Sequence, residues 1–286
     1  MSRILVAFIL FLNSIVVFSQ DVSSSKLKVQ GQLISLNNMK FDVNADGFPK
    51  QYYNINGGLF DKSENLLYEP MHFHFYTSTK SQEKMNIINC NISSESGDSV
   101  IWNAKSASNN LSMNVAATMF SNGFVNYKVK LTALKDVELS SINFHIPFQK
   151  SVSKYLLGLG RKDYYRRDTV KWNDQQWNKI KPAFWIGNDS LGLYLRINTN
   201  SNWLKRNNGS IQINIKGSSM LTDIYTGKLS LNQGDELNFD FNLILTSHSV
   251  DDVKTSFPDR FKQYEKLDRR QSKKISTEAF SKTLLH

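Results

Sequence analysis

The chain of 286 residues has a single cysteine, Cys90. One thiol excludes an internal disulfide, so the fold must be held by its core alone. Cys90 itself, in a strand-like stretch, reads as a small buried hydrophobe. Beyond the first twenty residues no apolar run reaches the roughly 18–20 residues that a spanning helix needs. There is no Gly-x-Ser-x-Gly, no phosphate-binding glycine loop and no His-Glu-x-x-His. Gly158-Leu159-Gly160 is too short for a nucleotide motif and reads as a turn of the backbone. The sequence therefore assigns no catalytic residue, no metal site and no cofactor. It also lacks an internal repeat and a Pro-, Ser- or Gly-rich linker, so residues 27–250 read as one domain.

Hydrophobic residues make up 40% of the chain and aromatics 12%, which excludes global disorder. At the N-terminus, Arg3 precedes an apolar run from Ile4 to Val17, broken only by Asn13 and Ser14. Ser19, Gln20 and Asp21 follow. This is the layout of a secretory signal peptide over residues 1–20, cut after Ser19 or Gln20. An exported protein, periplasmic or extracellular, is the expectation, with no stable membrane insertion once the signal is removed.

From Leu27 to Leu245 the hydrophobic period is two, as in strands with one buried face. Val125, Tyr127, Val129 and Leu131 alternate with Asn126, Lys128, Lys130 and Thr132; Ile211, Ile213 and Ile215 alternate with Gln212, Asn214 and Lys216. Between Val137 and Ile146 the alternation slips at Ser140-Ser141, which predicts a β-bulge. Turn signals stand at Asn56-Gly57, Asn122-Gly123, Asn208-Gly209 and Gln233-Gly234-Asp235. Many strands at short spacing without intervening helices predict an all-β fold, a large antiparallel, supersandwich-like β-sandwich over residues 21–265. A short C-terminal helix is expected from the spacing of Phe257, Phe261, Tyr264 and Leu267, capped by Ser256 with Pro258 in its first turn. Residues 266–286 read as a polar tail.

The net charge is +10. Only residues 260–274 are densely basic, with Arg260, Lys262, Lys266, Arg269, Arg270, Lys273 and Lys274, and they read as a solvated tail. Export argues further against a nucleic-acid partner. His72 and His74 share one face of a strand, opposite Met71, Phe73 and Phe75. No third ligand is indicated by the sequence, so the pair reads as a polar strand face. The stretch Gly158 to Trp203 concentrates Arg161, Tyr164, Tyr165, Arg166, Arg167, Trp172, Trp177, Trp185 and Trp203. Flat aromatics beside polar groups suit a sugar platform, and Tyr164, Tyr165, Arg166, Trp172 and Trp177 are the candidate ligand contacts. The competing reading puts Trp185 and Trp203 in the core and packs the Tyr-Arg loop on itself or on a neighbour.

The run Tyr155 to Gly160, then Tyr165-Arg166, Lys171-Trp172 and Phe184-Trp185-Ile186-Gly187, resembles the β-sandwich domain of glycoside hydrolase 123-like proteins. The Gly123-Phe124 to Pro147 block and the Leu229-to-Leu245 strand pair extend the resemblance over roughly residues 30–265. Asp163-Tyr164 departs from it where the family tends to place a Gly-Gly turn. The resemblance implies a sandwich N-terminal to a (β/α)₈ barrel whose adjacent acidic pair acts on N-acetylhexosamine glycosides. Residues 266–286 fall far short of the about 200 that a barrel needs, so no catalytic residue is carried over. The expectation is a non-catalytic carbohydrate-binding or accessory module, whose partner is a glycan or a glycan-processing protein. The alternatives are an inert fragment of an interrupted hydrolase and a protein-interaction module.

Overall fold

In the computed structural model the described residues are 27–37, 39–54, 64–79, 81–96, 98–160, 165, 167–173, 182–198, 202–204, 210–247 and 257–283. The expected signal segment and the turns at Asn56-Gly57 and Asn208-Gly209 lie outside them. The chain opens with β1 (Lys28–Gln30), β2 (Leu33–Leu36), β3 (Met39–Val43), β4 (Pro49–Asn54) and β5 (Glu64–Asn65). Then come β6 (His72–Thr77), β7 (Asn86–Ser96), β8 (Ser99–Ala107), β9 (Leu111–Phe120), β10 (Phe124–Ala133), β11 (Val137–Gln149) and β12 (Tyr155–Gly158). The rest are β13 (Thr169–Asn173), β14 (Ala183–Gly187), β15 (Leu191–Ile197), β16 (Ser210–Lys216), β17 (Ser219–Tyr225), β18 (Leu229–Leu231), β19 (Glu236–Asn238) and β20 (Phe241–Ser247), followed by helix α1 (Phe257–Thr283).

The strands form three antiparallel sheets. The first is the meander β1-β2-β3-β4-β5; the second and largest runs β12-β14-β15-β20-β10-β9-β8-β7, with β19 also on β10; the third runs β13-β16-β17-β11-β18, with β6 also on β11. The Asn122-Gly123 turn joins β9 to β10 where its sequence signal places it, but as the three-residue loop Ser121-Asn122-Gly123 in which only Gly123 takes a positive φ, +80, rather than the type I′ turn that Asn-Gly suits. The slip at Ser140-Ser141 is likewise a break in register where β11 pairs β6, between Leu139 and Ser141.

The alternating apolar residues of the second and third sheets meet in the sandwich core. Phe73 stacks on Phe144 within the third sheet at 4.8 Å, and Tyr127 on Phe241 within the second at 4.6 Å. Phe144 and Phe241 then meet across the gap at 4.9 Å. Full burial of each such side chain contributes on the order of 1.5–3 kcal/mol. Trp203, fully buried, closes the cluster against Phe73 and Phe239. Cys90 is half-buried against the core edge, and burial, with Asp46 nearby, raises its thiol pKa.

The other face of the second sheet is divided. Over β12, β14, β15, β20 and β10 it carries a second apolar cluster of Phe124, Tyr155, Leu157, Ala183, Trp185, Tyr194 and Ile244. Helix α1 covers this cluster with Phe261, Tyr264, Leu267 and Ile275. Here the structure corrects the sequence reading. The helix is not short, and residues 266–283 are its continuation rather than a polar tail. Arg260, expected to be solvated, is 4% exposed. Lys, Arg, Gln and Glu sustain a helix well, and the second half docks through Leu267, Ile275 and polar contacts. Ser272 accepts from Arg196 Nη2 at 2.9 Å and from Asn242 Nδ2 at 3.1 Å.

Candidate functional site

Two surfaces concentrate polar side chains on rigid strands. The first is the outward face of the third sheet. Because Phe73 and Phe75 point into the core, His72 and His74 must point out, half-exposed. In β11 the same alternation buries Phe144 and Ile146 and turns His145 outward. Pairing places His145 directly opposite His72 on one side and Asp223 of β17 on the other. The ring centroids are 4.5 Å apart for His72–His74, 4.3 Å for His74–His145 and 5.3 Å for His72–His145.

One nitrogen of each ring is turned toward an oxygen. His72 Nδ1 donates to the Pro70 carbonyl at 2.7 Å, which fixes Nε2 as its bare nitrogen in the neutral ring. His74 Nδ1 meets the Tyr76 hydroxyl at 3.0 Å, and His145 Nε2 lies 3.5 Å from Asp223 Oδ1. Asp223 also accepts from Asn143 Nδ2 through its other oxygen at 3.1 Å. Burial pushes His74 down to about 4, helped by His72. Burial also pushes His145 down to about 3, with His74, His72 and Lys216 adding to it. Asp223 is raised to about 6 by burial, against the pull of Asn143, Lys216 and His72. At neutral pH the His145–Asp223 contact is therefore a neutral imidazole beside a carboxylate rather than an ion pair.

The second surface is the part of the large sheet that α1 leaves open. Rows of paired residues cross it: Asn91 opposite Asn103, Asn103 opposite Ala116, and Ala116 opposite Lys128. The neighbouring row is Asn89, Lys105, Asn114, Lys130 and Asn238. They line a shallow depression of about 670 Å³ that Asp240 also borders, within the range of small-ligand sites. Lys130 is engaged by Glu236 at 2.9 Å. No aromatic ring lines this depression among the described residues.

The residues singled out in the sequence for ligand contact are not brought together by what is described. Tyr165 is 68% exposed, bridges Tyr155 in the backbone and lies 5.5 Å from its ring. Trp172 sits in β13 opposite the buried Ile211 of β16. Tyr164, Arg166 and Trp177 lie outside the described residues. Trp185 and Trp203 are core, at 1% and 0% exposed. Sequence reasoning found His72 and His74 but missed His145 and Asp223. The alternation of β11 marks His145 as outward, yet its pairing with a strand some seventy residues earlier leaves no local signal.

A model of the glycoside hydrolase 123 third domain matches residues 27–247. The model is that of the family's third domain, whereas the sequence resemblance had implied an N-terminal position. No curated protein matches the chain in sequence. Among solved structures, a candidate aldose 1-epimerase from Escherichia coli K12 is similar at a TM-score of 0.45 and 8% identity, over 76% of this chain and 98% of that one. A galactose mutarotase related enzyme from Lactobacillus acidophilus gives 0.44 and 8%, over 76% and 98%. The periplasmic domain of YidC from Thermotoga maritima gives 0.39 and 12%, over 85% and 96%.

Proposed function

The chain belongs to the glycoside hydrolase 123 third-domain family, and from that premise we propose that it is an exported, non-catalytic module that binds glycan on the open half of its large sheet. The observation that supports this is the pattern of Asn89, Asn91, Asn103 and Asn114 interleaved with Lys105 and Lys128 on one rigid surface. Each asparagine amide offers an acceptor and two donors side by side, a match for neighbouring sugar hydroxyls. The lysines add charged donors suited to an acidic group on the glycan. With no stacking ring among the described residues of the depression, affinity is expected to rest on polar contacts and to fall as salt rises.

The test is binding of the mature chain to a glycan panel weighted toward N-acetylhexosamine-containing and acidic members, with hydrolysis products monitored. Binding without turnover is expected, weakened about tenfold or more in K105A/K128A, since a hydrogen bond to a charged group contributes roughly 1.5–3 kcal/mol. Loss confined to Y165A or W177A would move the site to the Tyr-Trp loop. Failure to bind any glycan, or turnover, would sink the reading.

Export rests on the run from Arg3 to Asp21. The secreted chain is expected to begin at Gln20 or Asp21 on N-terminal sequencing. An intact N-terminus on the accumulated protein would remove this part of the reading.

A further inference from the structure

Among the described residues outside the proposed glycan surface, one group of side chains has the donors and the convergence that a metal ion requires. His72, His74 and His145 each offer a ligand atom, and those atoms all lie within 4.8 Å of one another. They stand on two directly paired strands, His72 and His74 two residues apart on β6 and His145 across from His72 on β11. Sheet hydrogen bonds therefore fix all three backbones before any ion arrives, which reduces the ordering cost of binding.

The surroundings of the rings match those of metal ligands. A ligating histidine usually gives its other ring nitrogen to a carbonyl, a carboxylate or a water. Here one nitrogen of each ring faces an oxygen, His72 Nδ1 the Pro70 carbonyl, His74 Nδ1 the Tyr76 hydroxyl and His145 Nε2 the Asp223 carboxylate at 3.5 Å, which leaves the other nitrogen of each ring for an ion. His145 Nε2 and Asp223 Oδ1 are both buried without a hydrogen-bond partner, although only 3.5 Å apart. Buried polar atoms left unsatisfied are costly. A cation on the far nitrogen of His145 would keep its proton on Nε2 and make that proton a stronger donor to Asp223.

We propose that His72, His74 and His145 bind one divalent transition-metal ion of the zinc class, with Asp223 as the outer partner of His145. Imidazole donors select zinc, cobalt, nickel or copper, whereas magnesium and calcium want oxygen cages. Three protein ligands leave a fourth tetrahedral position open for water or a ligand oxygen. The cluster is half-exposed on the sheet face, so an ion reaches it from solvent.

The experiment uses the untagged mature chain, stripped with chelator and titrated with zinc chloride against a chromophoric competitor. One equivalent is expected to bind. H72Q, H74Q and H145Q should each weaken it by more than the roughly 10–100-fold that losing an outer partner costs. D223A should weaken it within that range while keeping the stoichiometry. Far-UV circular dichroism checks that the variants fold. In the wild-type chain, imidazole nitrogen resonances give a reading that needs no variant: three of the five histidines should shift with one equivalent of zinc. Absence of stoichiometric binding, shifts confined to His248 and His286, or an H145Q affinity equal to wild type would each overturn the proposal.

Discussion

Replacing Asp268 with alanine is expected to release α1 from the sheet and cost about 3–5 kcal/mol, the usual penalty for removing one partner of a buried charged pair. Asp268 is 1% exposed and pairs with Arg196 of β15. Its Oδ1 also accepts from Asn242 Nδ2 at 2.7 Å, and Asn242 Oδ1 in turn accepts from Asn126 Nδ2 at 2.7 Å. The alanine would leave Arg196 and the fully buried Asn242 amide facing an empty space. It would also loosen the lid over Trp185 and Tyr194, because Phe261 and Tyr264 cover that cluster from the same helix. The readouts are the denaturant midpoint, a red shift in tryptophan emission and tryptic cleavage at the helix lysines. D268N keeps one hydrogen bond and should lose less. A D268A protein within about 1 kcal/mol of wild type, its helix still protected, would show that the apolar contacts alone hold α1.

This network also explains where the sequence was hard to read. The first turns of α1 were legible because Phe261, Tyr264 and Leu267 follow a helical period and pack on apolar neighbours. The later turns dock through Ile275 and through Ser272, and hydrophobic periodicity has no way to register a serine that bonds Arg196 and Asn242. The strands fared better. One buried face writes a period of two directly into the sequence, the Ser140-Ser141 slip marked the bulge, and Asn122-Gly123 marked a tight hairpin. The metal candidate was half legible. Two of its histidines are neighbours in sequence, while the third and its carboxylate arrive by pairings of β11 with β6 and with β17. The asparagine-lysine surface was legible only as outward residues of separate strands. That they share one uncovered area follows from how far α1 extends across the sheet.

A comparably large loss is expected at Trp102, which ties the N-terminal meander to the large sheet. Its indole is fully buried, lies edge-on to Tyr127 of β10 at 5.7 Å and sits 5.9 Å from Phe41 of β3. Its Nε1 donates to the Gly47 carbonyl at 2.8 Å, in the turn between β3 and β4. Gly47 takes φ +87, and a Cβ there would stand 2.8 Å from the Ala104 Cβ, so that turn is pressed directly on β8. W102A removes the ring and orphans the carbonyl together, for about 3–5 kcal/mol and a fall in Tm of roughly 10 °C. W102F keeps most of the apolar volume and loses the donor, so its cost should approach the roughly 1–3 kcal/mol of a buried acceptor left unpaired. The difference between the two variants then measures the packing of the ring. If the meander were only an appended flap, W102A would expose residues 27–54 to protease while leaving the main unfolding transition in place. Because Phe41, Val43, Phe48 and Tyr52 belong to the same apolar core as Phe144 and Phe241, a single transition that moves as a whole is expected. That coupling would make the meander part of the rigid frame on which both the histidine cluster and the asparagine-lysine surface are displayed.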